Sequence, residues 1–267
     1  MCIEKVGERL KQETEKGLVY YQFESLLPVK HGIFTRKGGV SKPPWASLNM
    51  GGNVGDDPQA VRRNHDLMYE ALQVNQDRVC TVWQVHSADT VIAHQPVQGR
   101  RWLALADGLI TDRTDTPLVM RYADCVPLLF MDPVQGVIGI AHAGWRGTVS
   151  GVGSRLIQTM IRAFNCKPAN IRAGIGPSIG PEHYQVGEEV VEAVYKHFGT
   201  IDGLIKRHPD DGTAYLNLWE ANRIDLQRAG VEQIELIGIS TYSNTDEFFS
   251  HRAEKGKTGR FGAVISL

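Results

Sequence analysis

The chain has 267 residues, enough to bury a sizeable core in one large domain or two small ones. Hydrophobic residues at 42% and charged residues at 22% are ordinary for a soluble globular protein, and a net charge of −1 carries no electrostatic footprint for nucleic acid or an acidic membrane surface. No apolar run approaches the ~20 residues of a membrane span, and the mixed-charge start Met1-Cys-Ile-Glu-Lys5 lacks a signal-peptide core, so a cytoplasmic protein is expected.

Without a Pro/Ser-rich linker, repeat or low-complexity run, one domain over 1–267 is expected, with residues 1–17 (rich in Glu, Lys and Gln) as a loose extension or surface helix. A strand-like run follows at Gly32–Thr35. Asp57-Pro58 then opens a helix whose Val61, His65, Met68 and Leu72 recur at helical spacing. Five strand-like runs come next: Thr81–Val85, Gly108–Thr111, Leu118–Arg121, Val126–Met131 and Val137–His142. After the glycines at 144–153, Leu156, Ile157, Met160, Ile161 and Phe164 mark a second helix face, and beyond strand Ile171–Ile175 a third helix carries Val190, Val191, Val194 and Phe198. Asn217 with Glu220 reads as a capping box and Gly230 as a left-handed stop for a fourth helix. Strands at Ile234–Ile239 and Arg260–Ile265 close the chain. The strands between 108 and 142 have no helix between them, which excludes a simple parallel βαβ repeat. Mixed sheets with helices outside them, an α/β or α+β sandwich, fit the pattern.

The chemistry concentrates where apolar runs end. His142 closes the run in Ile138-Gly-Ile-Ala-His142 and precedes a Gly-rich turn that opens a helix. His86 in Val82-Trp-Gln-Val-His86 and Cys125 in Ala123-Asp-Cys125 have similar surroundings. Two imidazoles and a thiolate suit zinc or copper, and three protein ligands leave a fourth position open, as catalytic sites do. The bland alternative for each is a half-buried structural His or a small apolar Cys. Asp107 and Asp124 adjoin Gly108 and Cys125; a carboxylate there either orients a His ring, acts as acid or base, or merely caps a turn. Arg36, Arg121, Arg146 and Arg252 adjoin small or turn residues, where a planar guanidinium suits phosphate, carboxylate or a nucleobase edge, an exposed surface role being the alternative.

Several motifs are discounted. The four cysteines (Cys2, Cys80, Cys125, Cys166) form no CxxC pair and no disulfide framework. Gly174-Ile-Gly-Pro-Ser-Ile-Gly180 has the wrong spacing for a dinucleotide fingerprint, and Pro177 removes an N–H that a phosphate-binding turn would use. The glycines at 144–153 lack a P-loop ending, and there is no Gly-x-Ser-x-Gly elbow.

Taken in order, His31-Gly-Ile-Phe-Thr-Arg-Lys-Gly-Gly39, Ser47-Leu-Asn49, Trp83-Gln-Val-His86, Ala106-Asp-Gly108, Ala123-Asp-Cys125, His142-Ala-Gly-Trp-Arg-Gly147, Gly174-Ile-Gly-Pro177, Phe248-Phe-Ser-His-Arg252 and Thr258-Gly-Arg260 make the chain resemble the YfiH-like family, variously described as polyphenol oxidoreductase (laccase), purine nucleoside phosphorylase and peptidoglycan-editing factor. The resemblance implies a four-layer α/β/β/α sandwich with mixed sheets, related to the catalytic domain of cytotoxic necrotizing factors. It also implies zinc, or copper, on His86, Cys125 and His142. The implied activity is phosphorolysis of adenosine, inosine, guanosine and S-methyl-5′-thioadenosine, with deamination of adenosine. In that reading Cys125 and Asp107 serve catalysis, Arg36 and Arg252 hold substrate, purine nucleosides and phosphate are the partners, and the protein is a monomer or homodimer. Two rivals are a cysteine-dependent hydrolase or amidase editing peptidoglycan precursors, with Cys125 as nucleophile and His142 as base, and a copper laccase, for which only two of the nine histidines group with a cysteine.

Overall fold

A computed structural model describes residues 10–96 and 101–267. Strands β1 (Leu10–Glu13), β2 (Val19–Gln22) and β3 (Lys30–Phe34) lead to helix α1 (Pro58–Leu72). Six strands follow: β4 (Cys80–Thr81), β5 (Thr90–Ile92), β6 (Gly108–Thr111), β7 (Leu118–Tyr122), β8 (Val126–Asp132) and β9 (Val137–Ala143). Helices α2 (Trp145–Val149) and α3 (Val152–Phe164) come next, then β10 (Arg172–Ile175), β11 (Gln185–Val186) and α4 (Glu188–Phe198). The chain ends through β12 (Ile205–Arg207), β13 (Ala214–Leu216), α5 (Leu218–Arg228), β14 (Gln233–Leu236) and β15 (Phe261–Ser266).

Two six-stranded sheets dominate, in the orders β1-β2-β3-β15-β7-β4 and β14-β10-β8-β9-β6-β5, beside a small sheet β11-β13-β12. Both large sheets are mixed: β4 runs parallel to β7, β5 to β6 and β10 to β14, while the other ladders are antiparallel. Apolar side chains sort by strand alternation into three clusters. Ile33, Met120, Tyr122, Phe261 and Ile265 of the first sheet meet Leu109, Leu129, Met131 and Ile140 of the second between the sheets. Outside the first sheet, Phe34, Val119 and Val264 pack on Leu67, Met68 and Leu72 of α1. Outside the second, Leu128, Phe130 and Ala141 pack on α3, α4 and α5 through Leu156, Ile157, Met160, Val194 and Leu226. The layer order is thus helix, sheet, sheet, helices. Every residue of β8 and β9 is buried, because both faces of the second sheet are covered.

Local signals account for the helices. Asp57 accepts the Gln59 N–H at 2.9 Å and Pro58 fills the first turn of α1. Asn217 accepts the Glu220 N–H at 3.1 Å, while the Glu220 carboxylate turns to Arg223, so only half of the capping box forms. Gly230 ends that segment at φ 90°.

Three expectations need correction. The part of the N-terminal extension at Leu10–Glu13 is a strand rather than a helix; Gly17 (φ 74°) closes a turn from Thr14 that pairs it with Val19–Gln22. Residues 1–9 of that extension lie outside the described residues. The run Thr81–Val85 leaves the ladder after Thr81, because the Gln84 amide takes over the pairing: it donates to the Arg121 carbonyl at 2.7 Å and accepts the Arg121 N–H at 3.0 Å. The run Ile234–Ile239 stops at Leu236, before Gly238 turns left-handed at φ 63°.

Candidate metal centre

The antiparallel register brings three sequence-distant segments to one end of the second sheet. Pro127 near the start of β8 faces His142 near the end of β9, which places Cys125 beside it. On the other side of β9, Gly108 pairs with Ala141, and the His142 N–H donates to the Asp107 carbonyl at 2.8 Å. The loop carrying His86 is tied to the same point: Asp107 Oδ2 accepts the N–H of Val85 at 3.1 Å and of Ser87 at 2.6 Å. His86 itself sits in the left-handed region at φ 62°, which turns its ring toward the other two.

The result is one cluster in which the ligand-type atoms of His86, Cys125 and His142 all lie within 4.8 Å of one another. Zinc–nitrogen and zinc–sulfur bonds of about 2.0–2.3 Å set tetrahedral ligand separations near ~3.5 Å, so a modest closing brings all three onto one ion. The donor set fits a borderline-soft metal. His142 Nδ1 bonds Asp107 Oδ1 at 2.8 Å, which leaves Nε2 as its ligating nitrogen. His86 is exposed and His142 is buried, so the centre opens to solvent on the His86 side. Gly144 is required by this crowding. A Cβ there would lie 2.9 Å from Cys125 Sγ and 3.2 Å from His86 Cδ2.

The electrostatics favour a deprotonated thiol. Burial works against the Cys125 thiolate, but the His142 charge and hydrogen bonds from His142 and His86 outweigh it and bring the pKa down to about 6. Burial likewise opposes the His142 imidazolium, yet the Cys125 thiolate and the Asp107 hydrogen bond raise its pKa to about 9. Asp107 is held below its ordinary range: burial opposes this, and the bonds from His142, Ser87 and Val85 prevail. Both its oxygens are engaged and the residue is fully buried, so Asp107 reaches a substrate only through the His142 ring.

Asp124 ties a second loop to the centre. At φ 80°, it accepts the Thr241 hydroxyl at 2.7 Å and the Arg252 N–H at 2.7 Å. Arg252 stacks over Tyr184 at 5.3 Å and donates to the Gln185 carbonyl. Burial raises the Tyr184 pKa, and the Cys125 charge adds to it while Arg252 and Arg146 act in the opposite sense, which puts these four groups within electrostatic reach of one another. Arg260 is held there too: burial lowers its pKa against the pull of Cys125 and Asp124. No spacing in the sequence marks Tyr184 or Arg260 as neighbours of the cluster, although Arg260 belongs to the Thr258-Gly-Arg260 motif.

Arg36 occupies a different place. Its guanidinium donates to the carbonyls of Ala46 and Thr245 and to Glu254, and lies over the Phe249 ring. Glu254 in turn accepts from the Ser250 N–H and the Thr258 hydroxyl, so Arg36 braces the loop that bears Arg252. Arg121 faces away from the cluster, toward α1. The glycines of Gly174-Ile-Gly176 are packing residues. A Cβ at Gly174 would sit 2.4 Å from the Phe23 ring, and one at Gly176 would sit 2.5 Å from Ile33.

Residues 30–267 match the family model described as multi-copper polyphenol oxidoreductase laccase. The chain is 38% identical over 242 residues to purine nucleoside phosphorylase YlmD of Geobacillus stearothermophilus, covering 88% of each protein. It is 35% identical to purine nucleoside phosphorylase YfiH of Escherichia coli, covering 87% of this chain and 91% of that protein. The crystal structure of YlmD from Geobacillus stearothermophilus superposes with a TM-score of 0.91 over 97% of this chain and 99% of that one, at 34% identity. The Bacillus licheniformis hypothetical protein YfiH gives 0.86 over 93% and 96%, at 35% identity. This chain belongs to the YfiH/YlmD family.

Proposed function

We propose that this protein is a metal-dependent purine nucleoside phosphorylase whose reaction takes place at His86, Cys125 and His142, with adenosine, inosine, guanosine and S-methyl-5′-thioadenosine as substrates and deamination of adenosine as a further activity. The observation that carries the reading is the convergence of two imidazoles and a thiolate within 4.8 Å, oriented from behind by Asp107 and flanked by Arg252, Arg260 and Arg146. The names of the relatives point the same way. Residues 1–267 work in this reading as one domain, and the helix–sheet–sheet–helix order supports kinship with the cytotoxic necrotizing factor catalytic domain.

Phosphorolysis breaks the bond between the purine and C1′ of the ribose, joins a phosphate oxygen to C1′, and returns a proton to the departing base. Arg252 supplies a cation for the phosphate, with Arg36 holding its loop in place. Arg260 adds positive charge on the same side of Cys125. Asp107 is a positioning residue: it fixes the His142 ring and the His86 loop. Cys125 is a thiolate at neutral pH and serves as a ligand. Bound zinc, or copper in its place, supplies Lewis-acid stabilisation of developing charge and makes water more acidic.

A cysteine-dependent amidase is favoured by one specific observation, the Cys125–His142–Asp107 alignment, which resembles a nucleophile, base and orienting acid. That arrangement uses His86 only as a further hydrogen bond to the thiolate, whereas the metal reading uses all three residues as ligands. For a multicopper oxidase, the described residues offer a single cluster of three ligands. The deciding experiment incubates metal-replete protein with adenosine and phosphate and separates the products by chromatography. Adenine marks phosphorolysis and inosine marks deamination; their joint absence refutes the proposal. Chelation is expected to abolish both, and activity that survives or rises on chelation would favour thiol chemistry.

A further inference from the structure

A cavity of about 850 Å3 lies on the outer face of the first sheet, beside α1 and the β4 edge. Strand β7 sends Leu118, Met120 and Tyr122 into the core between the sheets, so alternation turns Val119 and Arg121 the other way, into this cavity. Val61, Tyr69, Val79 and Val119 give it an apolar wall. Its volume lies in the ~300–1,000 Å3 range of small-molecule sites.

Arg121 is the unusual member. Among the described residues its guanidinium has one acceptor, the Val82 carbonyl, to which Nη2 donates at 3.0 Å. Asp66 and Asp77 also line the cavity, and among the described residues Arg121 has no ion pair beside its bond to the Val82 carbonyl. Burial accordingly pushes its pKa below the ordinary arginine range, with only Tyr69 and Tyr122 acting against that. A shielded cation without an anion is costly, and the oxygens of an anionic ligand would offset that cost.

We propose that this cavity is a second ligand site, separate from the metal centre, that takes a small organic anion with its carboxylate or phosphate on Arg121 and its apolar body along Tyr69, Val61, Val79 and Val119. The guanidinium fork accepts either anion.

Benzoate and phenyl phosphate, titrated separately into the metal-loaded full chain by calorimetry, test the site and tell the two anions apart. At least one is expected to bind the wild-type protein. Binding should weaken tenfold or more in Arg121→Met and stay within twofold in Cys125→Ala. No heat of binding from either probe overturns the proposal, as does a loss in Cys125→Ala with none in Arg121→Met. Should Arg121→Met fail to fold, Arg121→Lys and amide hydrogen exchange decide. The ligand should protect β4 and β7 in the wild-type protein, and protection confined to the loops around His86 and Arg252 would contradict the inference.

Discussion

Replacing Asp107 by Asn tests how the buried carboxylate works. Asp107 accepts from three donors, His142 Nδ1 at 2.8 Å and the N–H groups of Val85 and Ser87 at 3.1 and 2.6 Å. The amide keeps one acceptor oxygen and turns the other into a donor. If the oxygen stays on the two backbone N–H groups, the NH2 faces His142 and drives it to the tautomer with hydrogen on Nε2, the nitrogen required for metal. If the amide flips, two N–H groups of the His86 loop lose their acceptor, at about 1–3 kcal/mol each. Either way the metal site is weakened, and the loss expected for such a supporting residue is about 10- to 100-fold in metal affinity, or about 1.4–2.7 kcal/mol. Competition against a chromogenic chelator measures it, with circular dichroism of the metal-free variant confirming the fold. Zinc affinity within twofold of wild type would refute the positioning role.

Three further predictions rest on the same geometry. Gly144→Ala places a methyl 2.9 Å from Cys125 Sγ, so metal affinity should fall roughly tenfold by overpacking, whereas unchanged affinity would show that α2 shifts freely. In metal-free protein Cys125, with a pKa of about 6, should react with iodoacetamide at a nearly constant rate from pH 7 to 8.5, while an ordinary thiol accelerates about 16-fold over that span; an ordinary profile would remove the imidazolium partner. Asp124→Ala strips the acceptor of Thr241 and of the Arg252 N–H, so it should raise the KM for phosphate while metal affinity holds, and Asp124→Asn, which offers an acceptor and a donor to the same pair, should recover most of the loss. Equal defects in both variants would mean that the charge itself, rather than the loop, matters.

The cluster was legible because each of its three members lies where an apolar strand pattern meets polar or small residues; the antiparallel β8–β9 register then brings Cys125 and His142 together. Four helices were legible from spacing and caps, as at Asp57 and Asn217. The strands Leu10–Glu13, Gln185–Val186 and Ile205–Arg207 were not, since they are short and mostly polar, and Thr90–Ile92 and Ala214–Leu216, at three residues each, are too short to show an alternation. Tyr184 and Arg260 were missed for a different reason. Each reaches the centre only through tertiary packing, and an isolated Tyr or Arg carries no spacing signal. The Gln84 side chain standing in for a strand ladder is likewise invisible in sequence.

In the proposed function, one ion on His86, Cys125 and His142 runs nucleoside chemistry. Titrating zinc back into metal-free protein while following phosphate-dependent release of hypoxanthine from inosine tests it most directly. Release should be negligible without metal, rise up to one equivalent per chain, and reach a plateau beyond. Full activity in the metal-free protein, or restoration that needs several ions per chain, would contradict it.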